Sequence, residues 1–131
     1  MIPKYRVWVE AEETMHPVLG LDWSGVGDDL TAFVPMGKTS LRAVSIDGVV
    51  LMQSTGLFDV NGKEIFEGDV VKIVDEYNDS AVSVVVFQNG ASGMTINGIF
   101  VPFAAMSILF QVEYTLEIIG NSYENPELME G

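Results

Sequence analysis

At 131 residues the chain is long enough to bury a core as one domain, and its 48% hydrophobic content excludes intrinsic disorder. It contains no cysteine, which excludes disulfides, thiolate metal sites and cysteine nucleophiles. Nineteen acidic residues against six basic ones leave a net charge of −13, which argues against general affinity for nucleic acid, where cations must displace phosphate counterions.

Valine and isoleucine together number 27, against 16 for leucine and alanine. β-Branched side chains pack well on a pleated surface and lose freedom in helices, so the prior is an all-β or mostly β fold. The opening MIPKYRVWVE carries charge almost at once and does not read as a signal peptide. The longest apolar run, GIFVPFAAMSILF, is broken by Pro102 and Ser107 and is too short to cross a membrane. A soluble protein is expected.

In chain order, Lys4 to Glu10 alternates as a strand, with Tyr5, Val7 and Val9 on one face and Arg6 and Trp8 on the other. Ala11 to Leu30 carries acids, Pro17 and repeated Gly and Asp, and reads as a long irregular connection holding at most one short strand. TAFVP is a short strand ended by Pro35. TSLRAVSIDGVVLMQS reads as two strands forming a hairpin around Asp47-Gly48. A second hairpin comes next in TGLFDVNGKEIFEGD, with a further turn at Glu67–Asp69 leading into the strand DVVKIVD.

EYNDS is a polar turn, and AVSVVVFQNG is a strand with Val82, Val84 and Val86 on one face. MTINGIFVPF is a hairpin around Asn97-Gly98 that sets Ile96 opposite Ile99. AAMSILFQVEY fits a helical turn or a strand equally well. TLEIIGNSY is the last strand, followed by a polar end with a short helical turn from Asn125-Pro126. Strands recurring at short, regular spacing suggest a sandwich or a barrel.

The densest array of functional groups is the stretch from Thr55 to Val71. DVNGKE fails as a calcium loop, because its glycine stands fourth rather than sixth and the distal glutamate is missing. It fails as a phosphate loop because no Lys-Ser or Lys-Thr follows GLFDVNG. A two-residue turn at Asn61-Gly62 would set Asp59 opposite Glu64, a like-charge pair that destabilises a ladder. A type I turn from Asp59 to Gly62, with Gly62 left-handed in a bulge, instead pairs Asp59 with Lys63 and Leu57 with Ile65. The bulged hairpin is the expected form.

Other candidates are sparser. His16, the one histidine, precedes Pro17 in an acidic loop and suits a solvated side chain better than a catalytic base. Three acidic groups could in principle gather a divalent cation: Glu10, Glu12 and Glu13; Asp28 and Asp29; and Asp75, Glu76 and Asp79. Arg6, Lys38, Arg42, Trp23 and Phe33 are the residues a nucleic-acid surface would use, and Asn89–Gly93 is a loop tip suited to contact. None of these patterns amounts to a catalytic, cofactor-binding or metal constellation, so no such residue is assigned and no cofactor is expected.

Three blocks together, IPKYRVW with Met15, MQSTGLFDVNGKEIFEGDVV and EIIGNSYENPEL, resemble the YopX family of phage and prophage proteins. Family members often carry an acidic residue after the opening tryptophan, where this chain has Val9, so Val9 is expected among apolar neighbours. The resemblance implies a multi-sheet, mostly β fold mixing β-sandwich and small β-barrel features with at most short helical turns. It implies a single family domain over 1–131, divisible into an N-terminal lobe over 1–54 and a C-terminal barrel-like lobe over 55–131. The setting it implies is the cytoplasm of a phage-infected or lysogenic bacterium, and it carries no established activity or site. The expectation is a non-enzymatic binding or assembly module with a protein partner or a homo-oligomer, and no membrane. The alternatives are a nucleic-acid-handling accessory protein and, behind it, a metal-assisted hydrolase.

Overall fold

The computed structural model describes residues 4–22, 30–96, 98–110 and 113–129. Among these residues the fold is all-β with one short α-helix, and one sheet curls as a half-barrel. The chain divides into two compact units, Met1–Gln53 and Ser54–Gly131.

In the first unit, β1 (Tyr5–Val9) pairs antiparallel with β2 (Thr14–Pro17) on one side and with the first half of β6 (Val49–Phe58) on the other. A second sheet is formed by β3 (Gly20–Asp22), β4 (Thr31–Met36) and β5 (Ser40–Ser45) in that order. Val7 and Val9 pack with Ala32 and Val34 as a buried cluster joining the two sheets. Val9 is therefore among apolar neighbours, as its departure from the family pattern implies.

Three local expectations change here. The stretch after β1 holds two short strands rather than one at most, because a tight turn at Glu10–Glu13 returns the chain at once. That turn places Glu13 at φ 53, a conformation uncommon for a non-glycine residue and so invisible to turn rules built on Gly and Asn. Asp47-Gly48 is not the turn of a hairpin: Ile46–Gly48 is a 3₁₀ corner, after which β5 stays with β4 while β6 pairs with β1. Pro35 lies inside β4 rather than ending it.

In the second unit, five antiparallel strands run in the order β11 (Ile99–Pro102), β10 (Ala91–Ile96), β9 (Ser80–Gln88), β8 (Asp69–Asp75), β12 (Tyr114–Asn121). Ile96 faces Ile99 as expected, with Gly98 left-handed at φ 80; Asn97 lies outside the described residues. The loop tip at Asn89 is shorter than expected. Asn89-Gly90 alone forms a two-residue turn with both φ angles positive, closed by Gln88 opposite Ala91. Gly93 is buried in β10 where a Cβ would sit 2.3 Å from the Val101 carbonyl oxygen and 2.8 Å from Pro102 Cα. Only glycine lets these two strands approach so closely.

The segment left open between helix and strand is α1 (Phe103–Phe110). Phe103 and Met106, three residues apart and so on one helical face, enter the main core with Val71, Val85, Met94 and Leu116. On β9 the buried face is the one carrying Ser83 and Val85, whereas Val82 is exposed. Both faces of β9 carry apolar side chains, Val82, Val84 and Val86 on one and Ala81, Val85 and Phe87 on the other, so composition could not decide which turned inward.

Candidate functional site

The stretch from Ser54 to Asp69 is built by polar groups that bind backbone. The second half of β6 pairs with β7 (Glu64–Phe66) through Phe58 opposite Glu64 and Ser54 opposite Phe66, with a register shift between them. At that shift Gly56 is left-handed at φ 78. The Ser54 hydroxyl accepts from Gly56 N–H at 3.0 Å and donates to the Glu64 carboxylate. The Thr55 hydroxyl donates to the Ile65 carbonyl at 2.7 Å and accepts from Leu57 N–H at 3.0 Å. The two hydroxyls thus answer donors that an irregular ladder would leave unpaired. Leu57 and Ile65, expected opposite each other, differ in burial: Ile65 is fully buried and Leu57 is 40% exposed.

At the turn itself, Gly62 N–H donates to Asp59 C=O at 3.0 Å and Asp59 N–H donates to Lys63 C=O at 2.8 Å. Gly62 stands at φ 80. This is the bulged hairpin that charge pairing predicts. The Asp59 side chain, however, does more than start a turn. It is buried, and its Oδ1 accepts from Asn61 and Lys63 N–H groups, each at 2.9 Å. Its Oδ2 accepts at 3.0 Å from the N–H of Ile118, on β12. Beside it, Val60 N–H donates to the Leu116 carbonyl at 2.9 Å. The hairpin tip therefore covers the middle of the outer edge of β12. Burial works against ionisation of Asp59, but the N–H groups of Ile118, Lys63 and Asn61, with a smaller contribution from the Lys63 charge, hold its carboxyl below the ordinary value.

Asp69 repeats the device at the next turn. It is buried, and its Oδ2 accepts from Phe66 N–H at 2.8 Å. Gly68, at φ 90, donates to Val85 C=O and accepts from Ser122 N–H. Asn121, opposite Asp69, accepts from the N–H groups of Tyr123 and Glu124, winding the chain end into a 3₁₀ turn at Pro126–Met129. The central and terminal sequence blocks are thus one hydrogen-bonded assembly. The central stretch is a scaffold.

The remaining candidates fall in separate places. His16 lies on β2 rather than in a loop, half-buried, with its Nε2 2.8 Å from the Thr14 hydroxyl and 3.3 Å from Arg42. Arg42 is held by Glu12, at 2.5 Å and 3.0 Å, so this member of the proposed nucleic-acid surface is already neutralised. The ion pair with Glu12 raises the pKa of Arg42. The bond to Arg42 is the main reason that the Glu12 carboxyl lies below its ordinary value. Lys38 is exposed at the β4–β5 turn, Arg6 lies on β1 and Phe33 is half-buried on β4. Trp23, Asp28 and Asp29 lie outside the described residues. Asp75 organises its own turn, accepting from Tyr77 and Asp79 N–H groups. Among the described residues no three acidic or histidine side chains are placed to hold a metal ion. No helix among them is long and apolar enough to cross a membrane.

Two cavities open on the second unit. One, of about 500 Å³, lies between the hairpin tip (Leu57, Phe58, Val60) and the start of β12 (Glu113, Tyr114, Leu116). Another, of about 330 Å³, is floored by Ile73, Ala81 and Ile96 and rimmed by Asp75 and Asp79. Tyr114 lines both. Phe58, Val60 and Glu113 were not among the candidates that sequence motifs single out. A signal existed: Leu57 and Phe58 are consecutive on a strand, so at least one of them had to lie outward, and both are exposed.

Comparison with known proteins agrees with this architecture. The sequence pattern of the family described as "YopX protein" matches residues 4–130. The chain belongs to the YopX family. A curated relative, the SPbeta prophage-derived uncharacterized protein YopX of Bacillus subtilis (strain 168), is 38% identical over 74 residues, covering 55% of this chain and 54% of the relative. The aligned region thus spans about half the length of that relative. The crystal structure of YopX from Bacillus subtilis is similar with a TM-score of 0.62 at 27% identity, covering 95% of this chain and 96% of that one. The crystal structure of protein EF1440 from Enterococcus faecalis is similar with a TM-score of 0.59 at 28% identity, covering 98% and 99%. Both likenesses extend over both units of the fold.

Proposed function

We propose that this YopX-family protein is a prophage-encoded, non-enzymatic binding or assembly module that acts through protein–protein contacts in the bacterial cytoplasm. One observation carries the reading. At the hairpin tip the polar groups hold backbone, while the apolar ones face outward beside an open cavity: Leu57 is 40%, Phe58 60% and Val60 56% exposed. Contiguous exposed apolar side chains mark contact surfaces more often than reaction centres. The overall charge of −13 keeps such a surface soluble and disfavours nonspecific association.

The test is the mass of the purified protein in solution, together with capture of partners from infected or lysogenic cells. A defined oligomer or a reproducible stoichiometric partner supports the reading. A monomer that captures nothing reproducibly overturns it.

A further inference from the structure

We infer that the cavity between the hairpin tip and the start of β12 receives an extended, lysine- or arginine-bearing apolar segment of a partner protein, added as a short strand to the edge of β12. The inference rests on the binding-module reading above and names the kind of partner and its seat.

Among the described residues β12 is the last strand of its sheet and pairs with β8 alone. Leu116 C=O and Ile118 N–H both point away from β8, since they are taken by Val60 and by Asp59 of the hairpin tip. On a strand the N–H and C=O of one residue point the same way, and successive residues alternate. Tyr114 therefore presents both its backbone groups outward, and Leu116 its N–H, on the side that the cavity opens. Glu113 obeys the same alternation in the other sense, its carbonyl accepting from Glu76 N–H on the β8 side at 3.0 Å. The hairpin covers the middle of this edge and leaves its beginning for another chain, the arrangement that strand addition uses.

A strand laid there points alternate side chains into a cavity of about 500 Å³ between Phe58, Val60 and Tyr114. That is room for one or two aliphatic anchors.

Residues 54–131 carry twelve acidic side chains and two lysines, a net of −10. Glu113 lines this cavity, Asp75 and Asp79 rim the adjoining one, and neither lining includes a lysine or arginine. Cationic side chains on the incoming segment meet carboxylates on both sides of Tyr114. A second copy of this surface would bring another −10 and meet repulsion, so the occupant is a basic segment of a different protein.

The test uses the intact protein and an acetylated, amidated octapeptide of alternating lysine and valine, with the glutamate–valine octapeptide as control. Amide chemical shifts locate binding, and fluorescence anisotropy measures it. The expected result is shifts confined to Leu57–Val60 and Glu113–Leu116, slowed hydrogen exchange at Tyr114 and Leu116, and no binding of the control. Glu113→Lys and Phe58→Ser each weaken binding at least tenfold. Both residues are exposed, so each variant should melt with the wild type and separate lost binding from lost folding.

No binding of the lysine peptide, shifts elsewhere, or equal affinity in the Glu113→Lys variant overturns the inference. So does a homodimer that Phe58→Ser dissociates, because the occupant would then be a second copy. Capture of partners with the two variants distinguishes the levels of failure. A partner retained equally by wild type and both variants leaves the binding module standing and removes this seat. No partner and no oligomer with any form removes the binding module itself.

Discussion

Replacing Asp59 with asparagine removes one charge and keeps the shape, so the effect is decided by the three bonds the side chain makes. The carboxylate accepts three backbone N–H groups, two on Oδ1 and one on Oδ2. An asparagine oxygen placed toward Asn61 and Lys63 turns its own amide N–H toward the N–H of Ile118, donor against donor. The variant loses one charge-assisted bond, roughly 1.5–3 kcal/mol, and buries an unpaired donor that brings about 1–3 kcal/mol of desolvation. Part of the two is the same loss, so we expect a destabilisation of about 3 kcal/mol, or roughly 10 °C in melting temperature.

Urea unfolding followed by far-ultraviolet circular dichroism is the suitable assay. Both tryptophans, Trp8 and Trp23, belong to the first unit, so indole fluorescence would report the wrong half. Hydrogen exchange at Ile118 should accelerate more than at any other amide of β12. Lys63→Gln, which removes only the smallest of the influences acting on Asp59, should change stability by less than about 0.5 kcal/mol. If Asp59→Asn is as stable as wild type, or if Lys63→Gln is the more damaging change, the carboxylate does not hold the edge of β12.

Further predictions concern the same assembly. The Asp59 carboxyl lies below its ordinary 3.8 in the folded chain, so its contribution is fully present above that value and is lost as pH falls through the lower folded value. The stability gap between wild type and Asp59→Asn should therefore be flat from pH 7 to about 5 and close below 3.8, as urea midpoints across pH would record. Gly62→Val should cost about 1–3 kcal/mol from backbone conformation alone, since a Cβ at this φ of 80 meets nothing within 4 Å. Gly62→Asn, which tolerates the left-handed region, should recover most of that loss in the same urea titration. Gly93→Ala forces β10 and β11 apart and should cost about 2–3 kcal/mol or more, with exchange protection lost first around Met94 and Val101.

The turn from Asp59 to Gly62 was legible because everything that decides it lies within five residues: like charges exclude one register, and the glycine marks the left-handed position. The same holds for Ile96 opposite Ile99 and for β8, which the apolar run from Asp69 to Asp75 delimits by itself. Asp47-Gly48 misled for the complementary reason. Its local chemistry suits a hairpin, yet β6 finds its partner in β1, some forty residues earlier, and the pair becomes a corner between sheets. Which face of β9 turned inward, and whether Phe103–Phe110 coiled, depended likewise on what the sheet offered to pack against.

By itself, then, the amino-acid sequence determined the class of fold, the family, most strands and the turns at Asp59–Gly62 and Gly98, because side-chain period and turn stereochemistry act over a few residues. Only the tertiary structure decided that the Asp59 carboxylate reaches an amide 59 positions away and turns a local cap into a bond across the sheet. The same closure leaves Phe58 and Val60 exposed beside the open beginning of β12. Pairings at that distance are set by how strands assemble, and no short-range pattern encodes them.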